Sequence, residues 1–121
     1  MDSDILLFFN RAPGALGLFE AFAGEFDRRY PNASRRVQKT QITWSDPLVF
    51  AMISLPRSRK QPKDSLVLSF GLPEREDSPR IYQAVEPYPG RWTHHVILTG
   101  PRELDGQLWS WLDRAHLWAG R

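Results

Sequence analysis

The chain has 121 residues, 41% hydrophobic and 25% charged, with no cysteine and a formal net charge of +2. Those values describe one globular domain over residues 1–121 and exclude disordered and disulfide-stapled classes. The missing thiols also exclude cysteine nucleophiles and thiolate zinc sites, and they agree with a reducing compartment.

The opening Met1-Asp2-Ser3-Asp4 carries acids where a secretory signal needs bases. The apolar run Ile5 to Phe9 is too short for a signal core or a membrane span. A soluble, cytoplasmic chain is therefore expected, and the run reads as a short helix over Ile5 to Asn10, capped by Asp2 or Ser3. Pro13 suits the first turn of a second helix, where its missing N–H costs nothing. From Ala15 to Arg29 the apolar Ala15, Leu18, Phe19, Phe22 and Phe26 recur at helical spacing and predict one buried stripe.

Beyond Tyr30-Pro31-Asn32 the period falls from 3.6 to 2. Val37 to Trp44 alternates and reads as one strand, with Ile42 and Trp44 on one face and Lys39, Gln41 and Thr43 on the other. Asp46-Pro47 marks a turn. Leu48 to Leu55 is almost wholly apolar, as in a centrally placed strand. Pro56 to Asp64 is polar, basic and broken by proline, hence a loop. Ser65 to Phe70 predicts a strand with Leu66, Leu68 and Phe70 together.

Gly71 to Pro79 is a second loop, whose acids Glu74, Glu76 and Asp77 read as solvated. Arg80 to Glu86 and Arg91 to Leu98 then form a hairpin about Pro87-Tyr88-Pro89-Gly90. A four-residue connection sets Glu86 opposite Arg91, Val85 opposite Trp92, Gln83 opposite His94 and Ile81 opposite Val96. Ile81, Val85, Trp92, Val96 and Leu98 then share the core face, and Arg80, Tyr82, Glu86, Arg91, Thr93 and His95 the other. A last helix over Arg102 to Trp118 carries the stripe Leu104, Leu108, Trp111, Leu112 and Ala115. The fold expected is α+β: an antiparallel four- to five-stranded sheet packed by two N-terminal helices and one C-terminal helix.

Several stretches resemble a bacterial family known as domain of unknown function 5655. They are Lys39-Thr40-Gln41-Ile42, Val67-Leu68-Ser69-Phe70-Gly71-Leu72-Pro73, Ser78-Pro79-Arg80 and Pro89-Gly90-Arg91-Trp92-Thr93-His94-His95-Val96, supported by Phe50-Ala51, Leu104-Asp105, Trp111-Leu112 and Ala115. The resemblance spans nearly the whole chain and is densest from Leu66 to Leu98. His116 stands where the family pattern has tyrosine. The resemblance implies a small bacterial α+β domain and brings no reaction, cofactor or ligand with it.

No nucleophile elbow, phosphate-cradling Gly-x-x-x-x-Gly-Lys loop or dinucleotide fingerprint is present. His94 and His95 are neighbours on a strand, so their rings point to opposite faces and cannot chelate one ion. No metal and no cofactor is expected. His94 reads as a core histidine, and His95 as a neutral ring beside Arg80 and Arg91.

The leading expectation is a non-enzymatic binding module. In it Lys39, Gln41, Arg80, Tyr82, Arg91 and His95 receive a small anionic ligand or a protein segment. The alternative is nucleic-acid binding, because nine bases between Arg28 and Lys63 stand against the single acid Asp46. Those bases are Lys39 with Arg28, Arg29, Arg35, Arg36, Arg57, Arg59, Lys60 and Lys63, and Tyr30 or Trp44 would supply stacking groups. A third reading is an enzyme using His95 with an acid such as Glu86. Trp109 falls off the last helix's stripe, which makes it an exposed anchor for a homodimer through that helix.

Overall fold

The computed structural model describes residues 3–58 and 60–119. The elements run α1 (Ser3–Phe8), a 3₁₀ turn (Pro13–Ala15), α2 (Leu16–Arg29), β1 (Ser34–Val37), β2 (Ile42–Ser45), β3 (Val49–Ser54), β4 (Leu66–Leu72), β5 (Ile81–Tyr88), β6 (Arg91–Leu98), a second 3₁₀ turn (Pro101–Glu103) and α3 (Gly106–Ala119). The six strands form one antiparallel sheet in the order β1-β2-β3-β4-β6-β5. The class is α+β, as expected, with one strand more than expected.

That extra strand comes from the segment read as a single strand over Val37 to Trp44. It folds back on itself, so Val37 pairs Ile42 and Arg36 pairs Thr43. The amide of Gln38 donates to the Gln41 carbonyl at 2.8 Å, and the Gln41 Nε2 donates to the Gln38 Oε1 at 3.0 Å. Polar residues on both arms preserve the alternation through the turn, and the turn has no glycine or proline to mark it.

The helical expectations fare better. α1 spans Ser3–Phe8, two residues ahead of the expected Ile5 to Asn10 at either end, so Ser3 lies inside the helix and does not cap it, and the alternative cap Asp2 lies outside the described residues. Pro13 opens the turn before α2, whose Leu18, Phe19, Phe22, Ala23 and Phe26 are buried. α3 starts four residues later than expected. Asp105 accepts a hydrogen bond from the Leu108 amide at 3.1 Å and caps the helix there, after the Pro101–Glu103 turn.

Strand register separates two faces of the sheet. One cross-strand row, Val37, Ile42, Ile53, Leu68, Val96 and Ile81, lies under the helices. The next row, Arg36, Thr43, Met52, Ser69, His95 and Gln83, therefore points to the opposite face. α3 packs across β3 and β4. β3 is interior in the sheet, as its apolar run implied. All seven residues of β4 are buried, so its cover extends beyond the one face that alternation predicted.

The core is unusually aromatic. Phe26 meets Tyr30, Trp44, Phe50, Phe22 and Trp109 at ring-centroid distances between 4.7 and 6.4 Å. Trp44 and Trp109 are both buried, which corrects the expectations of Trp44 as a stacking group and of Trp109 as an exposed anchor. Trp109 stacks on Phe22 at 5.5 Å and is roofed by the Arg29 guanidinium at 4.8 Å. A tryptophan one position off a helical stripe is still carried inward where a second helix packs beside it, and α2 does so here.

The hairpin exists with a tighter connection than expected. Tyr88 pairs Arg91 across Pro89-Gly90, and Gly90 takes a φ of 81°, which only glycine adopts without strain. Irregularities between Ile81 and Gln83 and between Val85 and Tyr88 shift the register. Ile81 opposes Val96 as expected, while Gln83 opposes His95 and Val85 opposes Thr93. Val85 is consequently exposed, and Trp92 is half-buried beneath the Arg75 guanidinium at 6.0 Å.

Candidate functional site

The six side chains grouped by alternation do not form one surface. Lys39 and Gln41 sit in the β1–β2 turn at one edge of the sheet, and Tyr82 lies on β5 at the other. Arg80 is committed elsewhere. Its Nη1 donates to Asp105 at 2.8 and 3.1 Å and to Gln107 at 3.1 Å, its Nη2 donates to the Glu103 carbonyl at 2.8 Å, and its guanidinium lies over Trp111. This clasp ties the start of β5 to the start of α3, and it holds the Asp105 carboxyl below the usual range. Arg91 lies over Trp118 at 5.4 Å and against Gly71, where an added Cβ would meet its Nη2 at 3.1 Å.

Away from the β1–β2 turn that holds Lys39 and Gln41, Tyr82 and His95 are the two of the six that remain together, with ring centroids 6.1 Å apart. The Nδ1 of His95 lies 2.7 Å from the Ser69 Oγ. Burial pushes His95 below its ordinary value, so desolvation has the effect that had been assigned to neighbouring arginines. Glu86 accepts from the Gly90 amide at 3.2 Å in the hairpin turn, and the described hydrogen bonds and ion pairs do not join it to His95.

His94 is a core histidine, fully buried and stacked on Phe70 at 5.3 Å. Its Nε2 accepts the Glu76 amide at 2.8 Å, which places the ring proton on Nδ1. Glu76 is not a solvated loop acid. Its carboxylate accepts from Arg114 at 2.9 Å and from the Trp111 indole at 3.2 Å, and the Arg114 hydrogen bond draws its carboxyl below the ordinary range. Sequence spacing hides these pairs because their members lie 18 to 38 residues apart.

Burial also lowers His94, so the folded state resists protonation of both rings. The unfolded chain then binds more protons below the ordinary histidine value of 6.5. Stability is full above that value and is lost as pH falls below it, with further loss once Glu76, Glu103 and Asp105 protonate. We expect the urea midpoint to fall between pH 7.5 and pH 5, and a His94→Gln variant to show a shallower fall over that interval. A midpoint that rises on acidification contradicts this account.

The basic segment is dispersed as well. Arg28 and Arg29 pair with Glu25 at 3.2 and 3.7 Å on the last turn of α2. Arg35 and Arg36 are neighbours on the edge strand β1 and point to opposite faces. Arg57, Lys60 and Lys63 lie in the loop after β3, and Arg59 lies outside the described residues. The expected stacking groups are unavailable to a base. Trp44 is buried, and Tyr30 is buried with its hydroxyl donating to Asp113, an arrangement that raises the phenol's pKa chiefly through desolvation.

Two clefts open around Arg11, a residue the sequence reading passed over. One, of about 630 Å³, lies between α1 and the β1–β2 turn. Leu7, Phe8 and Val37 supply its apolar wall, and Arg11 and Lys39 its cations, with Asn10, Gln38 and Thr40 at its polar side and the Asp4 carboxylate, which has an interaction partner of its own, also in its lining. Leu7 is 74% exposed, an apolar side chain held open to solvent beside two bases. Neither Arg11 nor Lys39 has an ion-pair partner among the described residues. The other cleft, of about 800 Å³, lies between the Pro13–Ala15 turn and the loop after β3, and Arg11 and Lys63 line it. Arg11 could have been found only from the fold, since nothing in the sequence joins Asn10-Arg11 to Lys39 or Lys63.

Among the described residues no cluster of three His, Asp or Glu side chains is placed to hold a metal ion, and no helix is long and apolar enough to cross a membrane. The sequence model of the family described as Domain of unknown function (DUF5655) matches residues 10–118. No curated protein and no solved structure matches the chain.

Proposed function

The chain belongs to the DUF5655 family over a span that includes Arg11 and Lys39, and on that premise we propose that it is a binding module for a small organic anion with an apolar body. The observation that carries this reading is the pairing, in one cleft, of the exposed Leu7 wall with two cations that have no ion-pair partner among the described residues. An apolar wall alone takes any grease, and two surface bases alone take any anion. Together they select a ligand with a carboxylate or phosphate at one end and a hydrocarbon or aryl group at the other. Lys39 is common to this reading and to the group first read from the sequence. Arg80 and Arg91 are spent on the fold, and Tyr82 and His95 lie across the sheet.

Octanoate is a suitable probe, with 1-octanol as its uncharged counterpart. Calorimetric titration should give saturable binding of octanoate and at least tenfold weaker binding of octanol. Replacing both Arg11 and Lys39 with glutamine should weaken octanoate about tenfold or more, since hydrogen bonds to charged groups contribute about 1.5–3 kcal/mol each before solvent screening. Both side chains are exposed, so the variant should retain its stability within about 0.5 kcal/mol. Equal binding of octanol and octanoate, or an unchanged affinity in the double variant, overturns the reading.

A further inference from the structure

The face of the sheet turned away from Leu68 and Val96 bears aromatic rings at its β5–β6 end. Tyr82 and Tyr88 are 50% and 59% exposed, and Val85 between them is exposed as well. His95 stands beside Tyr82, with ring centroids 6.1 Å apart, and its Nδ1 is fixed by the Ser69 Oγ at 2.7 Å. The Nε2 of His95 has no hydrogen-bond partner among the described residues and is not closed off from solvent. Burial holds the ring below its ordinary value, so it is uncharged at neutral pH and free to stack.

Strand pairing places a cation on the same face. Arg91 pairs with Tyr88, and Thr93 and His95 follow it at alternate positions along β6. From Arg91 to His95 the strand runs about 13 Å, at about 3.3 Å per residue. Trp118 lies against the flat of the Arg91 guanidinium at 5.4 Å, while the N–H groups at its rim meet no acceptor among the described residues. Gly71 makes room for that guanidinium, since an added Cβ would lie 3.1 Å from the Nη2. The six strands together hold Arg35, Arg36 and Arg91 against a single acid, Glu86, which is drawn into the hairpin turn by the Gly90 amide.

Rings and cation together define the ligand. Exposed rings receive the flat faces of unpaired bases, which a duplex hides within its own stack. Guanidinium donors receive phosphate oxygens. An apolar peptide would cover Tyr82, Val85 and Tyr88 and still leave Arg91 without an acceptor. A polyanion without bases would use Arg91 alone.

We propose that the β5–β6 end of this face binds single-stranded nucleic acid, with bases stacked on Tyr82, His95 and Tyr88 and a phosphate on Arg91. The site shares no residue with the basic segment first considered for nucleic acid, and none with either cleft, so it is independent of the octanoate reading.

Fluorescence anisotropy of a short fluorescein-labelled oligothymidylate tests this, with a labelled duplex for comparison. The single strand should bind saturably and more weakly as salt rises, and the duplex should bind at least tenfold more weakly. Tyr82→Ala should weaken the single strand about tenfold, whereas Tyr82→Phe, which keeps the ring, should leave its affinity within about twofold. Arg91→Gln should weaken binding and flatten its dependence on salt. The Arg11→Gln, Lys39→Gln double variant should bind the oligonucleotide as the parent does while losing octanoate, so the two sites fail separately. No saturable binding, equal affinity for the duplex, or an unchanged affinity in folded Tyr82→Ala protein overturns the proposal. So does self-association through this face, seen as a sedimentation coefficient that rises with concentration, reverts in Tyr82→Ala and is unaffected by the oligonucleotide.

Discussion

Replacing Phe26 with alanine should lower the unfolding free energy by about 3–5 kcal/mol, the range for deleting a buried aromatic ring. Phe26 has no exposed surface and touches five other aromatic residues, drawn from α2, β2, β3, α3 and the residue just after α2. Few neighbours can move into the void, because each is itself pinned from another side. Trp44 is held by Phe19 and Phe22, and Phe50 by Tyr30 and His116. The cavity penalty should therefore persist in full. For a domain of this size the melting temperature should fall by roughly 10–20 °C. Phe26→Leu, which keeps most of the volume, should cost about 1.5 kcal/mol or less. Urea denaturation of both variants checks this; equal, small losses would mean that the ring is not the hub of the core.

Trp109→Ala should destabilise by a similar amount, about 3–5 kcal/mol. The indole is 3% exposed, stacked on Phe22, packed against Phe26 and covered by Arg29. Removal opens a void between α2 and α3 and leaves the Arg29 guanidinium without its aromatic seat. An exposed interface anchor behaves otherwise. Its loss leaves the urea midpoint nearly unchanged and alters the sedimentation coefficient on dilution. That second pattern would restore the homodimer expectation for Trp109 and contradict its place in the core.

Periodicity made much of the scaffold legible. The Phe19, Phe22 and Phe26 stripe, the Pro13 start of α2, the hairpin after Arg80 and the α+β class could all be read from spacing, since each depends on residues close together in the chain. The misreadings share another physical cause. The β1–β2 turn is polar on both arms, so alternation runs through it without a break. The β5–β6 register depends on irregularities between Ile81 and Gln83 and between Val85 and Tyr88, which alternation does not reveal. Trp44 and Trp109 seemed available because one flanks a turn and the other lies off a stripe, yet each is enclosed by an element distant in sequence.

The candidate site was less legible for the same reason. Charge-bearing residues were grouped by strand parity, which gives the face of a residue but not its place across the sheet. Arg80 and Glu76 have the residue types of a ligand site, and both are consumed by internal pairs with α3. Lys39 retained its place as a candidate once α1 was seen to run beside the β1–β2 turn. Arg11 gained its place from the fold alone.

The central claim is that the anion site lies at Arg11 and Lys39, on the β1–β2 side of the molecule. It is tested most directly by mapping octanoate-induced amide shifts on nitrogen-15-labelled protein. The account predicts saturable shifts concentrated at Leu7, Phe8, Arg11 and Val37 to Thr40, all lost in the Arg11→Gln, Lys39→Gln double variant. Shifts concentrated instead at Tyr82, Thr93 and His95 on the far edge of the sheet, or none at saturating octanoate, would contradict it.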